Sequence, residues 1–221
     1  MNIDNALKNF KHHIIHTETG RIQDKKLWAI ELFEDYLAHY TDLTKSKPDP
    51  QLEESLLTGE LSEITEKELT DFLHVFCIKK IASRAGELKS YLVTLKDFLH
   101  FLQDQNEIEK SRAKVFESII EEASELPLTA IVADLLFKLA RSFPDKEYTE
   151  LVQGHFCVNQ RETGFLVIKD ILTGIEYSPV IITRRILSFI RTGMILHLEI
   201  VKTETSWEIV EAGNVYLKFN A

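Results

Sequence analysis

The side chains in this sequence with the means to do chemistry are a histidine cluster, two cysteines and three groups of cations. His12, His13 and His16 form the densest titratable cluster. Positions 12 and 16 are four apart, the spacing at which two imidazoles on one helical face can share a metal ion. No acidic general base lies between them and no third ligand can be named, so the cluster reads as a polar face near a helix carboxyl end, where cations are favoured. No metal is assigned. Cys77 and Cys157 sit in apolar surroundings without CxxC spacing, the pattern of thiols that fill core volume. Lys79, Lys80 and Arg84 gather at the turn IASRAGE, and Lys89, Lys96 and His100 continue along the helix after it. Lysine and arginine beside a helix amino end suit phosphate contact, although Glu87 and Asp97 interrupt this surface. A third group, Arg184, Arg185 and Arg191 on a predicted helical turn, forms a candidate partner surface together with Trp207 and Tyr216 on strands. No glycine-rich phosphate loop, nucleophile elbow, HExxH or paired-carboxylate motif occurs. No catalytic residue and no cofactor is therefore assigned.

These residues must be held by recognisable elements. Leu88, Tyr91, Leu92, Leu95, Phe98, Leu99 and Leu102 recur at spacings of three and four, one unbroken apolar stripe. Upstream, Thr65 and Glu68 form a capping-box pattern that should open a helix. Leu69, Phe72, Leu73, Val75, Phe76 and Ile78 then spread around most of its circumference, so it should be covered on several sides. Ile3, Ala6, Leu7, Phe10 and Ile14 define a first helix ending near Gly20. Residues Lys25 to Tyr40 define a second, with Trp28, Tyr36 and Tyr40 in its core arc. Thr41 to Ile64, with Pro48 and Pro50, reads as an acidic connector carrying a short helix at most. Ala113 to Ala123 and Leu128 to Leu139 add two more helices, and SFPDKEY marks a boundary.

Beyond it the period changes. Short β-branched and aromatic runs, with turn signals at Glu162 to Gly164 and at Thr173-Gly174, predict a meander. Six short strands are expected, with a helical turn or two between Thr183 and Thr192. The reading is an α+β protein. A helical domain over 1–145 carries the connector at about 41–64, and a small β-barrel or β-roll of SH3-like or OB-like class occupies 146–221.

Composition bounds the function. The formal net charge of −9 falls entirely in residues 1–150, while 151–221 are balanced. That argues against a protein that coats nucleic acid. No apolar run approaches eighteen residues and MNIDNALKNFKHH lacks a signal core, so no membrane span or export is expected and a cytoplasmic location is the default.

The helices LWAIELFEDYLAHY, LTDFLHVFCIKK and ELKSYLVTLKDFLHFLQDQN are, in this order, similar to the SAM-like core-binding domain of tyrosine recombinases of the phage integrase family. SYLVTLKDFLHFL is the likest part, and the resemblance covers roughly residues 65–125. It implies a domain that clasps duplex DNA through Lys79, Lys80, Arg84, Lys89 and Lys96. Arg84, Ala85 and Gly86 depart from the threonine or serine the family often carries at that helix start. Nothing downstream resembles the arginine, HxxR and tyrosine catalytic set, which excludes strand transfer.

Three functions are thus expected in order. The first is a non-enzymatic interaction or regulatory protein with an unidentified protein partner. The second is a DNA-binding accessory protein, and the third an enzyme or small-molecule binder at the domain interface.

Overall fold

The computed structural model describes residues 1–44, 57–81, 85–142 and 148–217. Helix α1 (Ile3–Thr17) begins where the Asn2 side chain accepts the Asp4 N–H, and it buries Ile3, Ala6, Leu7, Phe10 and Ile14. It stops three residues before Gly20. That glycine, at φ +57°, instead opens α2 (Gly20–Tyr40), five residues ahead of the expected start. Ala29, Ile30, Phe33, Tyr36 and Leu37 face its core, whereas Trp28 and Tyr40, expected inside, are 42% and 57% exposed.

Of the connector, residues 45–56 lie outside the described residues. Its last part is tied to the amino terminus: Ile3 N–H donates to the Gly59 carbonyl at 2.9 Å, and Leu61 N–H donates to the Met1 carbonyl at 3.1 Å. Thr65 and Glu68 form the expected capping box at the head of α3 (Glu66–Asp71). A π-helical turn (Phe72–Phe76) and α4 (Cys77–Ile81) follow. The wide turn lets Phe72, Leu73, His74 and Phe76 all be buried, and Phe33 and Tyr36 pack on Phe72 at 4.8 and 5.3 Å. That is how apolar residues around most of a circumference are accommodated. Helix α5 (Ala85–Asp104) buries all seven residues of the predicted stripe, and α6 (Lys110–Glu122) buries Ala113, Phe116 and Ile120.

The chain divides into two compact units. The first comprises Met1–Cys77 and Gly86–Ser124, and the second Ile78–Ala85 and Glu125–Ala221. Helix α7 (Leu126–Ala140) therefore belongs with the strands, not with the helices that precede it. Its buried residues Leu126, Ala130, Val132, Ala133 and Leu136 give it a broad apolar face, and it packs along strand β5. The compact units part after Ser124, not at the change of secondary structure near residue 145.

In the second unit the strands are β1 (Glu150–Glu162), β2 (Phe165–Asp170), β3 (Glu176–Ile181), β4 (Ile195–Lys202) and β5 (Trp207–Tyr216). Helix α8 (Arg184–Leu187) lies between β3 and β4. The strands pair in the order β1-β2-β3-β5-β4, with β4 paired back to β1 so that the sheet closes on itself. All pairings are antiparallel except β3 with β5, which is parallel through Val180 and Trp207. Alternation sends Phe156, Val158, Ile168, Leu198, Ile200 and Ile209 inward, each at most 1% exposed. Among the described residues five strands stand where six were expected, because SWEIVEAG and the Val215–Tyr216 start of VYLKFNA form one strand, β5. Gly213 does not end a strand; it lies inside β5, where the register with β4 slips between Leu196 and Leu198.

Candidate functional site

The residues of the basic corner are divided between the two units. Lys79 and Lys80 are exposed at the end of α4 and belong to the second unit, while Lys89 and Lys96 lie on α5 in the first. Arg84 lies outside the described residues. Lys89 is exposed and pairs with no described residue. Lys96 is ion-paired with Glu121 of α6 at 3.3 Å, so an acidic side chain interleaves with the cations on this helix. Surface pairs of this kind are worth about 0–1 kcal/mol, but they neutralise charge that a phosphate would need.

The arginines around α8 separate by role. Arg191 turns back on its own chain: its Nη1 donates to the carbonyls of Ser188, Phe189 and Ile190 at 2.9, 3.3 and 3.2 Å. Arg161, at the end of β1, donates to the Leu187 carbonyl at 2.8 Å. These two satisfy carbonyls that a short helix leaves open. Arg184 and Arg185 are exposed, and no described residue pairs with either side chain. Of the two aromatics read beside them, Trp207 is 7% exposed and packs edge-on against Tyr177 at 4.9 Å inside the sheet. Tyr216 is half-buried near His155.

Two features went unread in the sequence. The first is a stack of imidazoles. His155 of β1 stands opposite His197 of β4, their rings 4.6 Å apart and 15° from parallel. Desolvation holds the His155 imidazole below its ordinary pKa, the positive charges of His197 and Lys79 add to that, and Asp170 opposes it. His12 and His16 also stack, at 4.9 Å. Among the described residues no group of three or more His, Cys, Asp or Glu could hold a metal ion. Cross-strand histidines cannot be paired before the register is known, which is why this stack had no sequence signal.

The second is the turn between β2 and β3. Asp170 accepts the N–H groups of Leu172 and Thr173 at 2.7 and 2.8 Å. Its carboxyl is held below the usual range, first by the Thr173 N–H and then by Leu172 N–H and the Thr173 hydroxyl against desolvation. The Thr173 hydroxyl accepts the Ile175 N–H at 3.3 Å, and Gly174 takes φ +74°. Gly154 leaves room for this carboxylate, since a Cβ there would stand 2.8 Å from Asp170 Oδ2. The pinned turn displays Ile171, Leu172 and Ile175, which are 50%, 87% and 54% exposed. LTG was readable as a turn; that its apolar residues face solvent was not, because a hairpin sequence does not say which side the core lies on.

Comparison with protein-family models, with curated proteins and with solved structures returns no match. No described helix is long and apolar enough to cross a membrane.

Proposed function

We propose that this protein is a non-enzymatic interaction protein whose second unit docks a protein partner through the β2–β3 turn. Single exposed apolar residues are ordinary, but contiguous ones mark interaction sites. The observation that carries the reading is a turn fixed by Asp170 that holds three large aliphatic side chains in solvent. A rigid turn loses little conformational entropy on binding, which favours affinity. The strand order, the parallel β3–β5 pairing and a short helix between β3 and β4 support assigning the unit to the OB-like barrels. In that class the face of β2 and β3 is the usual ligand surface. Here the exposed side chains on and beside that face include Ile181, Ile171 and Leu172, with Lys169 and Glu176. Stacking aromatics are not among them, which favours a protein over a single-stranded nucleic acid.

A photo-crosslinking residue placed at Leu172 tests this in cells, with Glu208 on β5 as the control position. A discrete adduct from position 172 that disappears on Ile175→Asp supports the reading. Equal adducts from both positions, or none from either, overturn it.

A second reading, DNA binding, is favoured by the exposed Arg184, Arg185 and Lys89 and by the integrase-like pattern of the first unit. Fluorescence anisotropy with labelled duplex and single-stranded DNA, from roughly 50 to 200 mM salt, tests it, because phosphate contacts weaken steeply over that range. Salt-sensitive binding lost in an Arg184→Glu/Arg185→Glu/Lys89→Glu variant supports this reading, and no binding at the lowest salt removes it.

A further inference from the structure

We infer that the first unit carries a site for a linear organic polycation, in the cleft between the end of α1, the first turns of α2 and the last turns of α5. The cleft measures about 360 Å³, within the range of small-ligand sites. Its apolar lining is Phe10, Ile14 and Phe101. Phe10 is 1% exposed, the half-buried Phe101 packs on it at 5.4 Å, and His13 lies over Phe101 at 5.2 Å. The titratable lining consists of Glu18, Asp97 and Asp104, Lys26 and the imidazoles of His13 and His100, of which His100 faces Glu117 at 3.7 Å, so carboxylates outnumber ammonium groups three to one.

These charges are not equivalent. Lys26 is tied between Glu18 and Asp97, the latter at 2.9 Å. Burial works against its charge, but the hydrogen bonds to Asp97 and Glu18 outweigh it and raise its pKa. Asp104 is exposed, and no described cation pairs with it. It is the last residue of α5, and α1 ends beside Glu18, so two helix carboxyl ends add partial negative charge to the cleft. The amino end of α2 opposes them, and Gln23 takes the carbonyls of Ile15 and Glu18. The balance remains negative around an aromatic floor, and this is the environment that attracts an organic cation.

Spacing narrows the class. Asp97 and Asp104 are seven residues apart on one helix, two turns and roughly 10 Å along its axis. One ammonium at Asp104 and a second near the Glu18–Asp97 end require a chain of about that span, with methylenes passing over Phe101. A linear triamine meets these terms; a monoamine reaches one end only, and a hydrated divalent metal ion gains nothing from the rings.

Isothermal titration of the full chain with spermidine tests the inference, with butylamine, magnesium chloride and a blocked lysine amide as parallel titrants. Saturable one-to-one binding of spermidine is expected, at least tenfold tighter than butylamine or blocked lysine. Asp104→Asn should weaken it five- to tenfold, as should Phe101→Leu. Lys26→Met should strengthen it by removing the competing ammonium. Binding perturbs the His13 ring resonances in NMR spectra, a readout independent of heat. The inference is overturned by no saturable binding, by magnesium binding as tightly as spermidine, by blocked lysine binding equally well, or by Asp104→Asn and Phe101→Leu variants with unchanged affinity. Asp104 is exposed, so loss of fold in that variant is not expected, and circular dichroism checks it.

Discussion

Gly213 stands against the ring of His197, and a Cβ added there would lie 2.5 Å from Nδ1. The clash falls on a ring already stacked on His155, which leaves it little room to move. Gly213→Ala should therefore destabilise the protein by about 1–3 kcal/mol, read from urea unfolding. In a His197→Ala background Gly213→Ala should cost far less, a coupling that a double-mutant cycle measures. Tyr91 presents a different case. Its hydroxyl is buried with no hydrogen-bond partner among the described residues, and such a group costs about 1–3 kcal/mol of desolvation. Tyr91→Phe should leave stability unchanged or raise it, seen as an equal or higher melting temperature. The pH response follows from His155. Its folded pKa is lowered, chiefly by desolvation, so as pH falls the unfolded chain takes up the proton first and stability declines. Buried His74 acts with the same sign, through desolvation opposed by Glu122. Stability should be flat above about pH 7.5 and fall steadily from there toward pH 5.5. His155→Gln should flatten that slope, and an unchanged slope would remove His155 from the account. Asp170, with its pKa lowered by the turn N–H groups, contributes stability that is lost only in a more acidic window, as pH falls below its ordinary 3.8.

At the scale of elements, legibility followed local periodicity. The α5 stripe from Leu88 to Leu102 was readable because each residue's burial is fixed by its neighbours three and four away. Thr65 and Glu68 were readable because a cap closes within a single turn. The strand positions are legible, but the sequence divides β5 in two, since glycine in a strand signals either an end or a bulge and only the partner strand decides which. The π turn at Phe72–Phe76 left no signature beyond an apolar pattern too wide for one face. Nor could pairing partners be read: α7 looked like the last member of a helical bundle, and only the fold shows its face on β5. Leu136 of α7 is fully buried. Leu136→Ala should cost about 2–5 kcal/mol; a loss under about 0.5 kcal/mol, the size of a surface change, would place this face in solvent instead.

At the scale of the molecule, the sequence carried composition and charge faithfully but could not carry the partition, because compactness depends on contacts between distant segments. A fragment cut at the boundary read from the sequence, 146–221, lacks α7 and bares the surface of β5 that α7 covers. It should bind a hydrophobic dye and run as aggregate on gel filtration, whereas 125–221 retains the helix and should bind far less dye. Equal behaviour of the two fragments would show that α7 is dispensable to the strands. The second unit is also discontinuous, since Ile78–Ala85 belongs to it although all of Gly86–Ser124 intervenes. On the ribosome this short segment is made long before its neighbours. At about 5–20 residues per second, Ile78–Ala85 waits several seconds for α7 and longer for β5. The second unit therefore cannot close before Glu125–Ala221 has been made, and a pause in translation before Glu125 would lengthen the interval in which Ile78–Ala85 lacks the rest of its unit.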